Sequence, residues 1–281
     1  MNRRPDMGMS DVKLAVIIAA GGSSSRFGMG QDKLAQDLGG RPMLLRTVEI
    51  FVKREEVKCI VVAGPGDTEE RFEEFRGKYG AQLAFHGAKV VRGGKKERWE
   101  TVKAGLEAVE WDKCTHVAVH DAARPVVSDE LLDRLIEAAG LHAAVIPTLP
   151  IHATIKRVSE ETVAAAEHDP IAARILGDDI VEERSAKARK VKETVDRRSL
   201  HEAQTPQIFT AELIRRAYSV ESGKLQGVTD DAMAVERLGE TVHAVNGDPM
   251  NIKVTTGADL RLVRAVLGVS GPKERPVHKR F

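Results

Sequence analysis

The stretch LAVIIAAGGSSSRFG, residues 14–28, decides how the rest of the chain is read. It opens with an unbroken apolar run, as expected of a strand covered on both faces. Glycines and serines follow, so the strand ends in a loop that exposes backbone N–H groups and lets the main chain approach a ligand without Cβ clashes. Arg26 lies in that loop and Lys33 just beyond it. Two cations over a polyphosphate suit a displacement at phosphorus, because negative charge gathers on the oxygens in the transition state. The loop is not a Walker A motif, since no Gly-Lys-Ser/Thr ends it, and it lacks the second glycine of GxGxxG. Taken alone, it reads equally well as a polar strand-to-helix turn.

Outward from this stretch, β-branched runs alternate with amphipathic ones, the signature of a parallel sheet with crossover helices. Strands are expected at 14–20, 57–63, 89–91, 116–120 and 143–147, and helices at 43–53, 68–79, 98–109 and 129–139. Ser128 is a good N-cap for the last helix, with Asp129 and Glu130 favouring its dipole. The pattern changes after Pro150: strands are expected near 151–158 and 192–195, around a charged segment, 159–190, that reads as either a helical insertion or a loop. Ser199 and Glu202 have capping-box spacing and predict a helix over 199–203. Helices at 211–219, 230–238 and 258–267 and a strand at 241–245 complete the reading. Residues 1–10 and the basic, proline-punctuated tail 269–281 are expected to be disordered. The domain between them runs over 11–268, with 151–198 as an arm carrying an insertion.

A formal net charge of +1 gives no global field that would draw the chain onto nucleic acid or an anionic membrane. Any anion site is therefore built locally. Cys59 and Cys114 sit in or beside apolar runs and read as buried free thiols, with no Cys/His metal spacing. Neither a signal peptide nor a membrane-length apolar run is present, so a cytoplasmic protein is expected.

His120-Asp121-Ala122-Ala123-Arg124-Pro125 ends the fourth long strand, and ligands of open α/β sheets bind beyond the carboxyl ends of strands. Asp121 is placed to hold Mg²⁺, or to close the turn as an ion pair with Arg124. His120 reads as structural. Three further polar clusters stand out: Thr194-Val195-Asp196-Arg197, Gln204-Thr205-Pro206-Gln207 at a helix-ending turn, and Thr229-Asp230-Asp231 at a helix start, where capping is the plain reading. In Asn251-Ile252-Lys253-Val254-Thr255, one lysine between apolar neighbours either snorkels or faces a site.

Together these motifs resemble one family, the 2-C-methyl-D-erythritol 4-phosphate cytidylyltransferases of non-mevalonate isoprenoid synthesis. The resemblance spans residues 14–267 and also includes Gly93-Gly94, Arg98, Thr101-Val102, Gly105-Leu106 and Thr154-Ile155-Lys156-Arg157. It implies a Rossmann-like α/β nucleotidyltransferase fold, a mostly parallel sheet flanked by helices, with a protruding arm exchanged in a homodimer. It implies that Arg26 and Lys33 stabilise the transition state on the phosphates of CTP, and that Asp121 ligands Mg²⁺. Ala19, Ala20, Gly21, Gly22, Gly93, Gly94, Thr101 and Ala122 would bind the nucleotide. Arg197 and Lys253 would position the small polyol phosphate, with Arg124, Thr154, Thr205 and Thr229 nearby and the arm residues serving the neighbouring subunit. A small backbone pocket at Gly93-Gly94 would accept the cytosine amino group and reject a purine.

The chain departs from the family pattern in four places. There is one extra residue between Gly21 and Arg26, with serine for the second glycine; Asp32-Lys33-Leu34 stands for Pro-Lys-Gln; Ala153 stands for Asp; and 159–190 is longer than usual. Rival readings are a cytidylyltransferase for another polyol phosphate such as ribitol 5-phosphate, and a catalytically silent nucleotide-binding regulator. A nicotinamide dehydrogenase is set aside for want of its fingerprint.

Overall fold

In the computed structural model, which describes residues 12–22, 27, 32–165 and 186–270, the opening apolar run becomes strand β1 (Leu14–Ala19). Its side chains divide between two cores: Leu14, Val16 and Ile18 join one, Ala15 and Ile17 the other. That two-sided burial is why the run shows no polar alternation. The chain continues through α1 (Met43–Val52), β2 (Val57–Gly64), α2 (Glu69–Phe85), β3 (Ala88–Arg92), α3 (Arg98–Glu107), β4 (His116–Asp121), α4 (Asp129–Ala139) and β5 (Ala144–Pro150). Beyond these come β6 (Ile155–Ala165), β7 (Ala186–Val195), β8 (His201–Ala203), β9 (Gln207–Thr210), α5 (Ala211–Tyr218), α6 (Ser222–Leu225), α7 (Asp231–Glu236), β10 (His243–Asn246) and α8 (Gly257–Val266).

The chain divides into two units, one made of the residues through Leu149 and from Ala203 onward, the other of Pro150–Glu202. In the first, strands lie in the order β10-β5-β9-β4-β1-β2-β3. The pairs β1–β2, β1–β4, β2–β3 and β5–β10 are parallel, and β9 runs antiparallel between β4 and β5. The sheet is thus mixed with a parallel core. Helices α1, α2 and α4 pack one face, and α3, α5 and α7 the other. The chain winds from β1 outward to β3 and then returns to β4 on the opposite side of β1. The loops after β1 and β4 therefore diverge at a topological switch point, where such sheets bind ligands. Register brings Ala19 of β1 opposite both Ala63 and Asp121, so the critical loops begin at one level.

The second unit is an antiparallel β6–β7 hairpin in which Ile155 pairs Val195 and Lys156 pairs Thr194. Arg157 bonds Glu193 across it at 2.5 Å. The charged segment 159–190 is thus strand at both ends; residues 166–185 lie outside the described residues, as do the termini expected to be disordered, 1–10 and most of 269–281.

Two expectations fail. Residues 201–203 are a strand rather than a helix, and the next residue, Gln204, donates its N–H to Pro147 O at 2.8 Å, so sheet pairing overrides the local capping signal. Gln207 does not end a helical turn but starts β9, whose Ile208 and Phe209 are fully buried. Helix α2 also runs past 79 to Phe85. Cys114 is buried and Cys59 partly so; burial pushes the Cys114 thiol up to about 11, keeping it protonated.

Helix α3 lies unusually close to β1: a β-carbon at Gly105 would stand 2.6 Å from Ile17 Cγ2. Gly105→Val should overpack this contact and lower stability by about 1–3 kcal/mol. Thermal unfolding measures it, and an unchanged midpoint would contradict the close packing.

Candidate active site

Asp121, the last residue of β4, is 7% exposed at the floor of a cleft. A carboxylate so buried needs partners, and three cations supply them. Lys253 Nζ lies 2.7 Å from Oδ2, Arg98 Nε 3.3 Å from Oδ1, and Arg124 Nε 3.6 Å from Oδ2. Burial alone would raise the Asp121 carboxyl, but the charges of Arg98 and Lys253 outweigh it and hold the group well below the usual carboxylate range. Arg98 also pairs with Asp231 at 2.8 Å, and Asp231 in turn accepts from Tyr218 Oη at 2.6 Å. Burial opposes the Arg98 charge, yet the two carboxylates raise its pKa, so it stays a cation between them.

Segments far apart in sequence are locked around this floor. His120 is fully buried, with Nε2 3.0 Å from Arg124 O and Nδ1 3.1 Å from Thr205 Oγ1. A carbonyl only accepts, so Nε2 carries the proton and Nδ1 accepts from the Thr205 hydroxyl. That hydroxyl also accepts from Asp121 N at 3.1 Å. Asn251 donates to Thr205 O at 2.8 Å, and Arg124 donates to Asn251 O at 2.7 Å. Val254 N then bonds Ala123 O at 2.9 Å, which fixes Lys253 between two tied neighbours. Lys253 faces the site; it does not snorkel.

The cleft has a volume of about 330 Å³ and is walled by Ala19–Gly22 after β1, by Lys33 and Leu34, and by Gly94–Arg98 leading into α3. Thr101, Ala122 and Ala123 also line it. Lys33, Arg71, Lys95, Lys96, Arg98 and Lys253 face the carboxylates Asp67, Glu97 and Asp121 there. Positive charge is thus concentrated locally in a chain with almost none overall. Gly94 is required by packing, because a β-carbon would fall 2.0 Å from Glu100 Cβ. Its N–H donates to Thr101 Oγ1 at 3.2 Å, so that hydroxyl holds the turn. Gly93 is not among the lining residues; its N–H donates to Gly64 O at 3.1 Å.

A second recess of about 230 Å³ shares Arg98, Asp121 and Lys253 with the first. Arg124, Gln204, Thr205, Gln207, Thr229 and Asp230 also line it. Thr229 is exposed, and Asp230 is the residue that caps α7, accepting from Met233 N at 3.0 Å. Thr154 and Arg197 belong to the hairpin unit, where Arg197 donates to His152 O. Arg26 lies outside the described residues. The sequence marks Arg98 as a motif residue and Asp231 as part of a helix-start cluster, but it does not disclose that they pair. Arg98 directly follows the Gly93–Glu97 loop at a helix start, but its partners come from distant segments that no spacing discloses.

The family model described as 2-C-methyl-D-erythritol 4-phosphate cytidylyltransferase (IspD) matches residues 14–170 and 167–269. A protein of that name from Alkaliphilus metalliredigens is 35% identical over 256 residues, covering 91% of this chain and 93% of the relative. Another from Rhodococcus jostii is 37% identical over 262 residues, covering 92% and 98%. Among solved structures, a 4-diphosphocytidyl-2C-methyl-D-erythritol synthase is similar with a TM-score of 0.66 at 29% identity, covering 91% of this chain and 99% of that one. The cytidylyltransferase from Thermus thermophilus gives 0.63 at 28% identity, with 92% and 100% covered.

Burial pushes the His120 imidazole down from 6.5 to about 4. The folded chain then binds this proton less readily than the unfolded chain, so the stabilisation is full above about pH 6.5 and is lost as pH falls toward 4. The loss is on the order of 3 kcal/mol across that window. Asp121 acts in the same direction only at lower pH, because its folded pKa lies below its unfolded one. Urea unfolding at pH 7 and pH 5 should therefore give a clearly lower midpoint at pH 5; equal midpoints would contradict a buried neutral His120.

Proposed function

The chain belongs to the 2-C-methyl-D-erythritol 4-phosphate cytidylyltransferase family, and on that premise we propose how its cleft moves CMP from CTP to 2-C-methyl-D-erythritol 4-phosphate, with release of pyrophosphate. One observation carries the reading: two adjoining recesses share Arg98, Asp121 and Lys253. Two anionic substrates placed in them meet over the same cations. The triphosphate lies along the residues Ala19–Gly22 beside Lys33, and the acceptor phosphate occupies the recess lined by Arg124, Thr205 and Thr229.

A phosphate oxygen of the acceptor attacks the α-phosphorus of CTP. The new O–P bond forms as the bond to the bridging oxygen breaks, and pyrophosphate leaves with that electron pair. No protein nucleophile or base is needed, because the acceptor phosphate is already anionic near neutral pH. The protein positions the groups and neutralises charge. Lys33, with Arg26 from the loop, stabilises the equatorial oxygens, and Lys253 holds the acceptor phosphate against the α-phosphorus. Gly94 in the cleft wall, with Gly93 behind it, reads the pyrimidine, where a site built to bond one exocyclic group rejects an analogue lacking it.

Among the described residues no three His, Cys, Asp or Glu side chains cluster to cage a metal. Mg²⁺ needs no such cage, since it takes one or two carboxylates and completes its shell with phosphate oxygens and water. Asp121 suits that role: it lines the cleft, stays ionised, and its Oδ1 carries a long 3.3 Å bond from Arg98. When bound with the triphosphate, the ion would supply further charge neutralisation on its oxygens. We assign Thr154 and Arg197, on the hairpin unit, to the acceptor of a neighbouring copy in a homodimer. No described helix is long and apolar enough to cross a membrane, and we place the enzyme in the cytoplasm with no nucleic acid partner.

The test is pyrophosphate release with each of the four ribonucleoside triphosphates, with and without Mg²⁺, and with methylerythritol phosphate or ribitol 5-phosphate as acceptor. Turnover is expected only with CTP, Mg²⁺ and methylerythritol phosphate. Lys33→Ala and Lys253→Ala should each lower kcat/KM by about 10²–10³-fold, and Lys253→Ala should also lower the thermal midpoint, because it takes a partner from buried Asp121. Near-normal turnover in either variant would remove that residue from the mechanism.

A further inference from the structure

Lys33 is preceded by Asp32, whose carboxylate ties its own loop to α2. Oδ1 accepts from Leu34 N at 2.9 Å and so caps the short 3₁₀ turn Lys33–Ala35. A helix cap requires no more than this. Oδ2, however, accepts from Tyr79 Oη at 2.8 Å and from Lys78 Nζ at 2.7 Å, both on α2 and 46 or 47 residues away in sequence. Tyr79 is 2% exposed, sits in the same core cluster as Leu14, Val16 and Ile18 of β1, and packs its ring 5.0 Å from that of Phe75. The anchor is therefore part of the sheet's own packing. From the carbonyl side, Asp32 O accepts from Ala35 N and from Gln36 Nε2, each at 3.3 Å. Between them these bonds fix the backbone on both sides of Lys33, which lines the cleft.

We propose that Asp32, held by Tyr79 and Lys78, is a positioning residue that aims Lys33 at the nucleotide phosphates. This rests on the cytidylyl-transfer reading, in which Lys33 touches the transition state. Charge chemistry agrees with it. A carboxylate next to a catalytic lysine would compete with phosphate for the ammonium group, whereas here Lys78 neutralises it and Tyr79 occupies it. The direction of the carboxyl's pKa fits too: burial raises it, but the bonds from Lys78 and Tyr79 outweigh burial and lower it. Asp32 thus stays an anion throughout the neutral range and keeps both bonds. Displacing a phosphate-binding group by about 1 Å is enough to cost up to about 100-fold in rate, which is the leverage such an anchor has.

The test is a double-mutant cycle read on turnover of CTP and methylerythritol phosphate, with amide hydrogen exchange at Leu34 as a readout that needs no substrate. Tyr79→Phe removes only the hydroxyl and keeps the buried ring, so it guards against loss of fold in Asp32→Ala. Both substitutions should lower kcat about ten-fold or more, and Leu34 exchange should accelerate in each. In a Lys33→Ala background the same substitutions should change the residual rate by less than about two-fold, because their effect passes through the missing lysine. Normal turnover in both variants, losses that multiply in the Lys33→Ala background, or unchanged Leu34 exchange in Tyr79→Phe would overturn the proposal. A wild-type chain that released no pyrophosphate from this substrate pair would overturn the parent reading instead, and Leu34 exchange would still decide the anchor.

Discussion

The buried carboxylate of Asp121 is the constraint on which the rest of the site depends. Placing an anion at the end of a central strand costs several kcal/mol unless cations and hydrogen bonds surround it. Arg98 comes from the start of α3, Arg124 from the turn after β4, and Lys253 from a segment near the C-terminal helix α8. Satisfying one carboxylate therefore draws three distant parts of the chain to a single point. Removing any partner would leave charge unpaired in a region that water barely reaches. The Thr205, His120 and Asn251 bonds add a neutral layer behind this ring, fixing Asp121 through its own backbone N–H.

The same arrangement explains how a nearly neutral protein handles two polyanions. The local excess of cations, Lys33, Lys95, Lys96, Arg98 and Lys253 among them, lines the cleft at the switch point between β1 and β4. Elsewhere, cations are spent on surface pairs such as Arg76–Glu73 and Lys113–Glu110. Asp121 pairs with both Arg98 and Lys253, so its charge offsets the repulsion between them. Preorganised charge of this kind needs little rearrangement when the transition state forms.

Much of this was legible in the sequence because it is local. The unbroken apolar run of β1, the Ser128 cap of α4 and the HDAARP turn each follow from neighbours in the chain, and the fold built on them agrees with the structure. What was misread was decided by distant partners. Ser199 and Glu202 have the spacing of a helix start, but Gln204 pairs with Pro147 and the chain there is extended. Strand β9 is four residues long and runs antiparallel between two strands, too short for any period to register. The Arg98–Asp231 pair and the Tyr79 anchor of Asp32 escape a sequence reading for the same reason: each is a bond across the fold. Thr205 was placed at the acceptor by resemblance, and it does line that recess, but its hydroxyl is engaged by His120 and Asp121.

The convergence of these charges on one nucleotide is tested most directly by a crystal structure of the chain with CTP and Mg²⁺ bound. The triphosphate should lie beside Gly21 and Gly22, with Lys33 and Arg98 contacting its oxygens and Asp121 at the floor beneath. A triphosphate bound outside this cleft, or one that neither Lys33 nor Arg98 touches, would contradict it.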